Sequence, residues 1–100
     1  MSLENYCMNR MYSLNQTTKF KKDLKIARKR GLNMELLDNV VTTILATGKL
    51  PPKFKPHILK GNYKGLWECH IQPDWLLIWK QDEEIKLISL TRTSSHSDLF

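Results

Sequence analysis

The sequence predicts an α+β domain in which a pair of helices packs on an antiparallel sheet. Apolar residues between positions 17 and 48 recur with the period of a helix, whereas those after position 65 alternate with the period of a strand. The segment between them holds three of the four prolines, which excludes a regular helix or a central strand there. With 100 residues, the chain has the length of one domain.

The first part of the chain is expected to form a short strand and then a helix. Residues 11–15 can form the strand. Thr17 or Thr18 supplies a side-chain oxygen that can cap the helix, and Gly31 is placed to end it. The helix carries one apolar stripe at the spacing i, i+4 and i+7, formed by Phe20, Leu24 and Ala27.

A second helix is expected between Asn33, which can cap it, and Gly48, which follows its last turn. Its apolar face consists of Leu36, Leu37, Val40, Val41, Ile44 and Leu45. The connection between the two helices is short, which favours an antiparallel helical hairpin. Residues 49–65 then form a long basic loop, and long loops in compact domains are often functional.

The last third of the chain predicts a three-stranded antiparallel meander. Residues 66–71 alternate between apolar and polar positions, and the turn that follows contains Pro73-Asp74. Residues 75–80 are apolar on both faces, which is typical of a central strand. Residues 85–92 form the last strand, and residues 93–100 leave room for one helical turn.

The basic charge is concentrated in two segments. Overall, 16 Lys and Arg residues against 10 Asp and Glu residues give a net charge of +6. Residues 17–30 hold seven basic residues and one acid, and residues 51–65 hold four lysines and no acid. Those four are Lys53, Lys55, Lys60 and Lys64. The two segments predict an anionic partner, nucleic acid or an acidic protein, although a lysine-rich helix is also compatible with a simple solvated face.

Several classes of protein do not fit the sequence. No stretch reaches the ~18–20 apolar residues of a membrane span, and the N-terminus lacks the apolar run of a secretory signal. Cys7 and Cys69 form no CxxC pair, so we expect reduced thiols in a cytosolic protein. The histidines show no spacing typical of a metal site, and there is no Gly-rich phosphate loop.

The second half of the chain holds the residues suited to acid–base chemistry. They are His57, His70, Asp74, Arg92 and His96. Cleaving RNA through its own 2′-hydroxyl needs a group that removes the hydroxyl proton, a group that protonates the leaving 5′-oxygen, and a cation that stabilises the phosphate. Two histidines, a carboxylate and an arginine can supply all of these without a metal ion.

Each of these residues also has a purely structural interpretation. His57 follows a proline in a loop, His70 can be an ordinary solvated histidine on a sheet, and Asp74 is a common turn residue. The alternation of its strand places Arg92 on the same side as the apolar core residues, where it would only cap the core edge. His96 can cap the final turn.

The alternation of the first meander strand separates Cys69 from its neighbour His70, which lies on the same face as Glu68. A Cys–His nucleophile is therefore a poor fit. Trp75 is most simply a core residue, but beside Asp74 at the start of a strand it could instead offer an aromatic face to a base.

Three motifs lie in register in the second half of the chain. They are His-x-Leu-x-Gly at residues 57–61, Glu-x-His-Ile-x-Pro-Asp-Trp at residues 68–75, and an arginine, a histidine and a final Leu-Phe within residues 92–100. With these motifs, the chain resembles the YafQ family of bacterial toxins in the RelE superfamily. The resemblance extends over residues 12–100.

The resemblance implies a RelE-like, microbial-ribonuclease-like fold in the order β-α-α-β-β-β, formed by one toxin domain over residues 11–100 after a flexible extension over residues 1–10. It implies the toxin of a type II toxin–antitoxin pair, a metal-independent endoribonuclease without cofactors that cleaves mRNA in the ribosomal A site. The implied partners are an acidic antitoxin, the ribosome and mRNA, with operator DNA bound only through the antitoxin complex. The implied location is cytoplasmic, without a membrane.

The family's functional positions fall here on His57, His70, Asp74, Trp75, Arg92, His96 and Phe100. The resemblance implies that His96 is the general acid for the 5′-oxygen. His70 with Asp74 forms the general-base side, and His57 assists there or holds the phosphate, so the base itself is left open among these three. Arg92 stabilises the phosphorane-like charge, and the products are a 2′,3′-cyclic phosphate, or the 3′-phosphate formed from it, and a 5′-hydroxyl.

Further positions would bind RNA or differ from the family. Trp75 and Phe100 are expected to position bases or the backbone, and the lysines of both basic segments are expected to contact RNA backbones. Ser94 and Ser95 stand where the family often has glycine. Because serine tolerates a left-handed backbone poorly, we expect the loop before the last histidine to differ in shape.

Two other functions are compatible with the sequence. One is a basic RNA- or ribosome-binding domain of the same fold without turnover, and the other is a partner module that only sequesters an acidic antitoxin. The three histidines and the arginine favour the enzyme, because binding alone needs only lysines and aromatic residues.

Overall fold

The computed structural model describes residues 10–99 of the chain and confirms the α+β class. In chain order the helices and strands are β1 (Ser13–Gln16), α1 (Thr18–Lys29), α2 (Met34–Thr47), β2 (His57–Ile58), β3 (Trp67–Gln72), β4 (Trp75–Asp82), β5 (Leu87–Ser94) and α3 (His96–Leu99). Two single 3₁₀ turns lie in the loop, at Pro52–Phe54 and Gly61–Tyr63. The flexible extension predicted over residues 1–10, apart from Arg10, and Phe100 lie outside the described residues.

The helices begin and end where the sequence predicts. The Thr17 hydroxyl accepts a hydrogen bond from the Phe20 backbone N–H at 3.1 Å, which caps α1. The Asn33 side chain accepts one from the Glu35 N–H at 3.0 Å and caps α2 in the same way. Gly48 follows α2 in the left-handed conformation, with φ of 74°.

The two long helices cover one face of the sheet with a continuous apolar core. The predicted stripe of Phe20, Leu24 and Ala27 is buried. The core also contains Leu37, Val40, Val41, Ile44 and Leu45 of α2 and the sheet residues Cys69, Ile71, Trp75, Leu77, Trp79, Ile88 and Leu90. The helices, with Leu50 and Phe54 of the loop, thus occupy one side of the sheet, whereas the later part of the loop and α3 lie on the other side.

The sheet is mixed and has five strands in the order β1-β5-β4-β3-β2. The expected meander forms its centre, where β3, β4 and β5 pair antiparallel. Two details differ from the prediction: β1 pairs parallel with β5, and the proline-rich loop contributes the two-residue strand β2. Neither could be predicted from periodicity, because two residues carry no period and alternation does not reveal which strand is the neighbour.

Strand β4 is central and apolar on both faces, as predicted. Trp75, Leu77 and Trp79 join the helix-facing core, whereas Leu76 and Ile78 point to the other side. There they form a second small cluster with buried Leu99 of α3 and the partly buried residues Leu59, Tyr63 and Leu66. This cluster is the apolar floor of the face opposite the helices.

Gly48 is a position where a side chain would disturb the fold. A methyl group there would overlap the Tyr12 phenol ring, with 2.7 Å to ring carbon Cε1, and its φ is already positive. We expect Gly48→Ala to lower the free energy of unfolding by about 2–4 kcal/mol, from backbone strain and overpacking together. Urea unfolding followed by tryptophan fluorescence measures the loss.

The matched control is Gly31→Ala. Gly31 has φ of 76° but no atom within 4 Å of an added methyl group, so only the backbone strain should be felt, ~1 kcal/mol. Equal losses for the two variants would contradict the predicted overlap with Tyr12.

Candidate active site

One row of side chains crosses four strands on the face opposite the helices. The strand registers place His57 opposite Glu68, Glu68 opposite Ile78, and Ile78 opposite Arg92. Directly opposed residues of neighbouring strands lie on the same face of a sheet. The row therefore joins a histidine at the sheet edge to an arginine three strands away.

A second row runs beside the first, formed by His70, Leu76 and Ser94. His70 and Arg92 thus share one face, on strands that are two strand spacings, or roughly 10 Å, apart. Asp74, just before β4, and His96, just after β5, lie beyond the Leu76–Ser94 pair, where Asp74 Oδ1 accepts a hydrogen bond from the His96 backbone N–H at 3.4 Å. The fold therefore brings all five predicted acid–base residues to one face or its end.

Arg92 reaches this face because of a β-bulge. The register between β4 and β5 shifts by one residue between Leu90 and Arg92. Ile78 pairs with Arg92 and Trp79 pairs with Leu90, so that Thr91 is the extra residue. Simple alternation, which grouped Arg92 with the core residues of its strand, is wrong here. The bulge reverses the alternation and turns Arg92 away from Leu90.

The Arg92 guanidinium is held by Asp23 of α1. Arg92 Nε donates to Asp23 Oδ2 at 2.8 Å and Nη2 donates to Oδ1 at 3.2 Å, a bidentate pair. Asp23, which is 7 % exposed, also accepts the Thr93 backbone N–H at 3.0 Å. The hydrogen bonds to Asp23 raise the pKa of Arg92, and Tyr63 acts in the same direction. Asp23 and Tyr63 are thus further functional candidates, and no motif in the sequence marks either of them.

His57 is held between two oxygen atoms. Its Nδ1 lies 2.8 Å from the Lys55 carbonyl oxygen and its Nε2 lies 3.2 Å from Glu68 Oε1. Both ring nitrogens thus face oxygen atoms. Glu68 is 5 % exposed, and its other oxygen, Oε2, has no hydrogen-bond partner among the described residues. Strand alternation predicts the correct face for Glu68, but no sequence motif marks this residue as a partner of His57.

His70 offers one ring nitrogen for proton transfer. Its Nδ1 lies 3.4 Å from the Pro73 carbonyl oxygen, and in the tautomer that donates to this oxygen Nε2 is an acceptor. The hydrogen bond observed for Asp74 is to the backbone of His96, whereas the sequence analysis grouped Asp74 with His70.

His96 is exposed at the first position of α3, and polar contacts hold this short helix in place. Ser95 Oγ accepts from the Asp98 backbone N–H at 3.3 Å, and Ser94 Oγ donates to Asp98 Oδ2 at 3.1 Å. Arg30 of α1 forms an ion pair with the same carboxylate at 3.1 Å. Positive φ values among the described non-glycine residues occur only at Lys55 and Lys86, so both serines have an ordinary backbone conformation.

Trp75 does not serve the predicted role. Its side chain is 2 % exposed, packs in the helix-facing core and donates its indole N–H to Thr93 Oγ1 at 2.9 Å. A base cannot reach the ring, and the structural interpretation of Trp75 is correct.

Phe100, the other predicted aromatic contact, lies outside the described residues. The predicted lysines Lys53, Lys55, Lys60 and Lys64 are exposed.

The structure places Cys69 away from the site. Burial raises the pKa of its thiol to about 12, so the thiol stays protonated at neutral pH.

No group of three or more His, Cys, Asp or Glu side chains suited to a metal ion occurs within residues 10–99. Over the same residues, no helix is long and apolar enough to cross a membrane.

Comparison with known proteins gives the same family from sequence and from structure. Residues 12–100 match the family described as bacterial toxin of type II toxin–antitoxin system, YafQ. The mRNA interferase toxin YafQ of Escherichia coli strain K12 is 39% identical over 82 residues, which is 81% of this chain and 87% of that protein.

Solved structures of toxins also match this chain. The crystal structure of the E. coli DinJ–YafQ toxin–antitoxin complex matches with a TM-score of 0.81 and 34% identity, over 89% of this chain and 97% of that one. A metal-bound toxin from Helicobacter pylori matches with a TM-score of 0.80 and 44% identity, over 90% of this chain and 100% of that one.

Proposed function

Because the chain belongs to the YafQ family of bacterial toxins of type II toxin–antitoxin systems, we propose that the sheet face bearing His57, His70 and Arg92 is its active site. The chain is the toxin of such a pair and an mRNA interferase, an endoribonuclease, and its partner is an antitoxin. The observation that carries the site is the cross-strand row from His57 through Glu68 to Arg92, with His70 in the row beside it and His96 just after β5.

His70 is the general base of the proposed reaction. Its Nε2 is the acceptor nitrogen when Nδ1 donates to the Pro73 carbonyl oxygen. Nε2 takes the proton of the 2′-hydroxyl as that oxygen attacks the adjacent phosphorus. His57 is less suited to this step, because both of its ring nitrogens already face oxygen acceptors.

Arg92 stabilises the phosphate, and His57 lies in the same row of side chains. Negative charge grows on the non-bridging oxygens as the 2′-oxygen bonds to phosphorus, and fixed cations aimed at those oxygens lower the barrier. The bidentate contact with Asp23 fixes the plane of the Arg92 guanidinium and leaves other N–H donors for the phosphate. Glu68 fixes the orientation of the His57 ring through its contact with Nε2.

His96 is the general acid. It donates a proton to the leaving 5′-oxygen as the phosphorus–oxygen bond breaks, so that one proton is taken from the 2′-oxygen and one is delivered to the 5′-oxygen. Asp74 positions His96 through its backbone N–H. The products are a 2′,3′-cyclic phosphate and a 5′-hydroxyl.

The proposed substrate is mRNA in the ribosomal A site. The exposed lysines of residues 51–65 lie in the loop that carries β2, and they would bind the phosphates of mRNA and ribosomal RNA. The same positive surface suits an acidic antitoxin, and operator DNA would be bound through that complex. The reaction uses no metal ion or cofactor in this proposal.

The test of the proposed function is cleavage of mRNA on programmed ribosomes by the purified chain, freed of its antitoxin. We expect cleavage to continue in excess EDTA, with Mg²⁺ held by the ribosomes replaced by cobalt hexammine. A single 2′-deoxy substitution on the 5′ side of the scissile linkage should abolish cleavage there, because it removes the attacking oxygen.

The control is a 2′-deoxy substitution one nucleotide further 5′, which should leave cleavage at the original linkage intact. Cleavage of the deoxy linkage at an unchanged rate would contradict attack by the 2′-hydroxyl. Binding to ribosomes without any new mRNA end would instead favour a binding domain without turnover.

A further inference from the structure

A groove of about 790 Å³ runs between α2 and the end of β3. Leu36 and Asn39 of α2 line one side, and Lys53, Phe54 and Lys55 of the proline-rich loop line another. Its volume lies within the ~300–1,000 Å³ of small-ligand sites. None of the described residues that line it carries a carboxylate, so its charge is positive.

The groove is continuous with the proposed active site at two points. His70, the proposed base, is itself one of the lining residues. Lys55 lines the groove and its carbonyl oxygen accepts the hydrogen bond from His57 Nδ1. Lys55 has φ of 51°, an uncommon conformation for a side-chain-bearing residue. A strained residue thus connects the groove wall to a histidine of the catalytic face.

We propose that this groove binds the nucleotide that flanks the scissile linkage, with its base against Leu36 and Phe54 and its phosphate against Lys53 and Lys55. This inference rests on the proposed function and adds a subsite to it. Lys53 Nζ lies 5.0 Å from the centroid of the Phe54 ring, so the cation and the apolar surface are presented together. The Asn39 amide can donate to and accept from the edge of a base.

An acidic polypeptide would also suit a positive groove. The continuity with both His57 and His70 favours the substrate, because a nucleotide joined to the scissile phosphate must lie next to the groups that act on that phosphate. The subsite therefore should influence which sequence is cut, and not only how tightly RNA binds.

The test compares an Asn39→Ala/Lys53→Ala double variant with a Lys86→Ala/Thr42→Ala control, which removes a lysine and a small polar side chain at exposed positions outside the groove. Thr42 lies on α2 like Asn39, and its hydroxyl matches the Asn39 amide only as a small polar group. On programmed ribosomes, we expect the groove variant to raise KM about tenfold or more, to keep kcat within about twofold, and to change the base preference next to the mapped cleavage sites.

A second variant, Asn39→Asp, replaces the side-chain amide by a carboxylate of nearly the same shape at an exposed position of α2. The new negative charge repels the phosphates of RNA. It should weaken binding of a fluorescent single-stranded RNA by about tenfold in the His96→Ala background, where cleavage is slow enough for binding to be measured. This binding measurement separates failure of the subsite from failure of the proposed nuclease. Unchanged KM, base preference and RNA affinity would overturn the proposal, and so would a loss confined to antitoxin binding.

Discussion

Replacing His96 with alanine is expected to slow the cleavage step by at least ~100-fold, the usual scale for an acid–base group, while ribosome binding stays nearly unchanged. His96 is exposed and its side chain lies outside both apolar clusters, so its removal leaves the core intact. Single-turnover cleavage of mRNA on saturating ribosomal complexes measures the chemical step directly.

A substrate with sulfur in place of the leaving 5′-oxygen shows whether His96 acts as the acid. A thiolate leaves without being protonated, so the loss caused by His96→Ala should shrink markedly with this substrate. Ser97→Ala, at the next exposed position of α3, is the control and should behave like the unaltered chain with both substrates. Equal cleavage by His96→Ala and the unaltered chain would remove His96 from the mechanism, and an undiminished loss on the sulfur substrate would give it another role.

The residues that local rules describe were predicted correctly from the sequence. Capping chemistry gave the starts of α1 and α2, and alternation placed His70 and Glu68 on the face opposite Cys69. These predictions succeeded because a cap or a strand face depends only on neighbours a few positions away.

The remaining features depend on contacts between distant parts of the chain. The bulge at Thr91 adds one residue to β5, which alternation cannot detect, and it reverses the face on which Arg92 lies. Asp23 is the one acid among the seven basic residues of positions 17–30, and nothing local pairs it with a residue 69 positions away. Glu68 contacts His57 only because β2 places the two residues opposite each other, and β2 could not be predicted from the sequence.

The pair formed by Asp23 and Arg92 leads to the second large effect. We expect Arg92→Ala to lower the rate of the cleavage step by about 100–1,000-fold, because it removes a fixed donor from the developing phosphate charge. Asp23→Asn keeps one oxygen acceptor but loses the bidentate carboxylate, and it should lower kcat by about tenfold or more with little change in KM. In this interpretation Asp23 is a positioning residue that acts through the guanidinium.

A double-mutant cycle on single-turnover rates distinguishes positioning from simple stabilisation. If Asp23 acts through Arg92, Asp23→Asn should cost almost nothing further once Arg92 is alanine. If Asp23 only stabilises the fold through the Thr93 backbone N–H, its effect on the rate should be the same in both backgrounds. Urea unfolding of all four proteins shows how much stability each change costs, since a buried carboxylate left without its cation is destabilising by itself. If the two substitutions lower the rate independently, Asp23 has no positioning role. If Asp23→Asn does not lower the rate of the Arg92→Ala variant any further, Asp23 of α1 acts by orienting the Arg92 guanidinium.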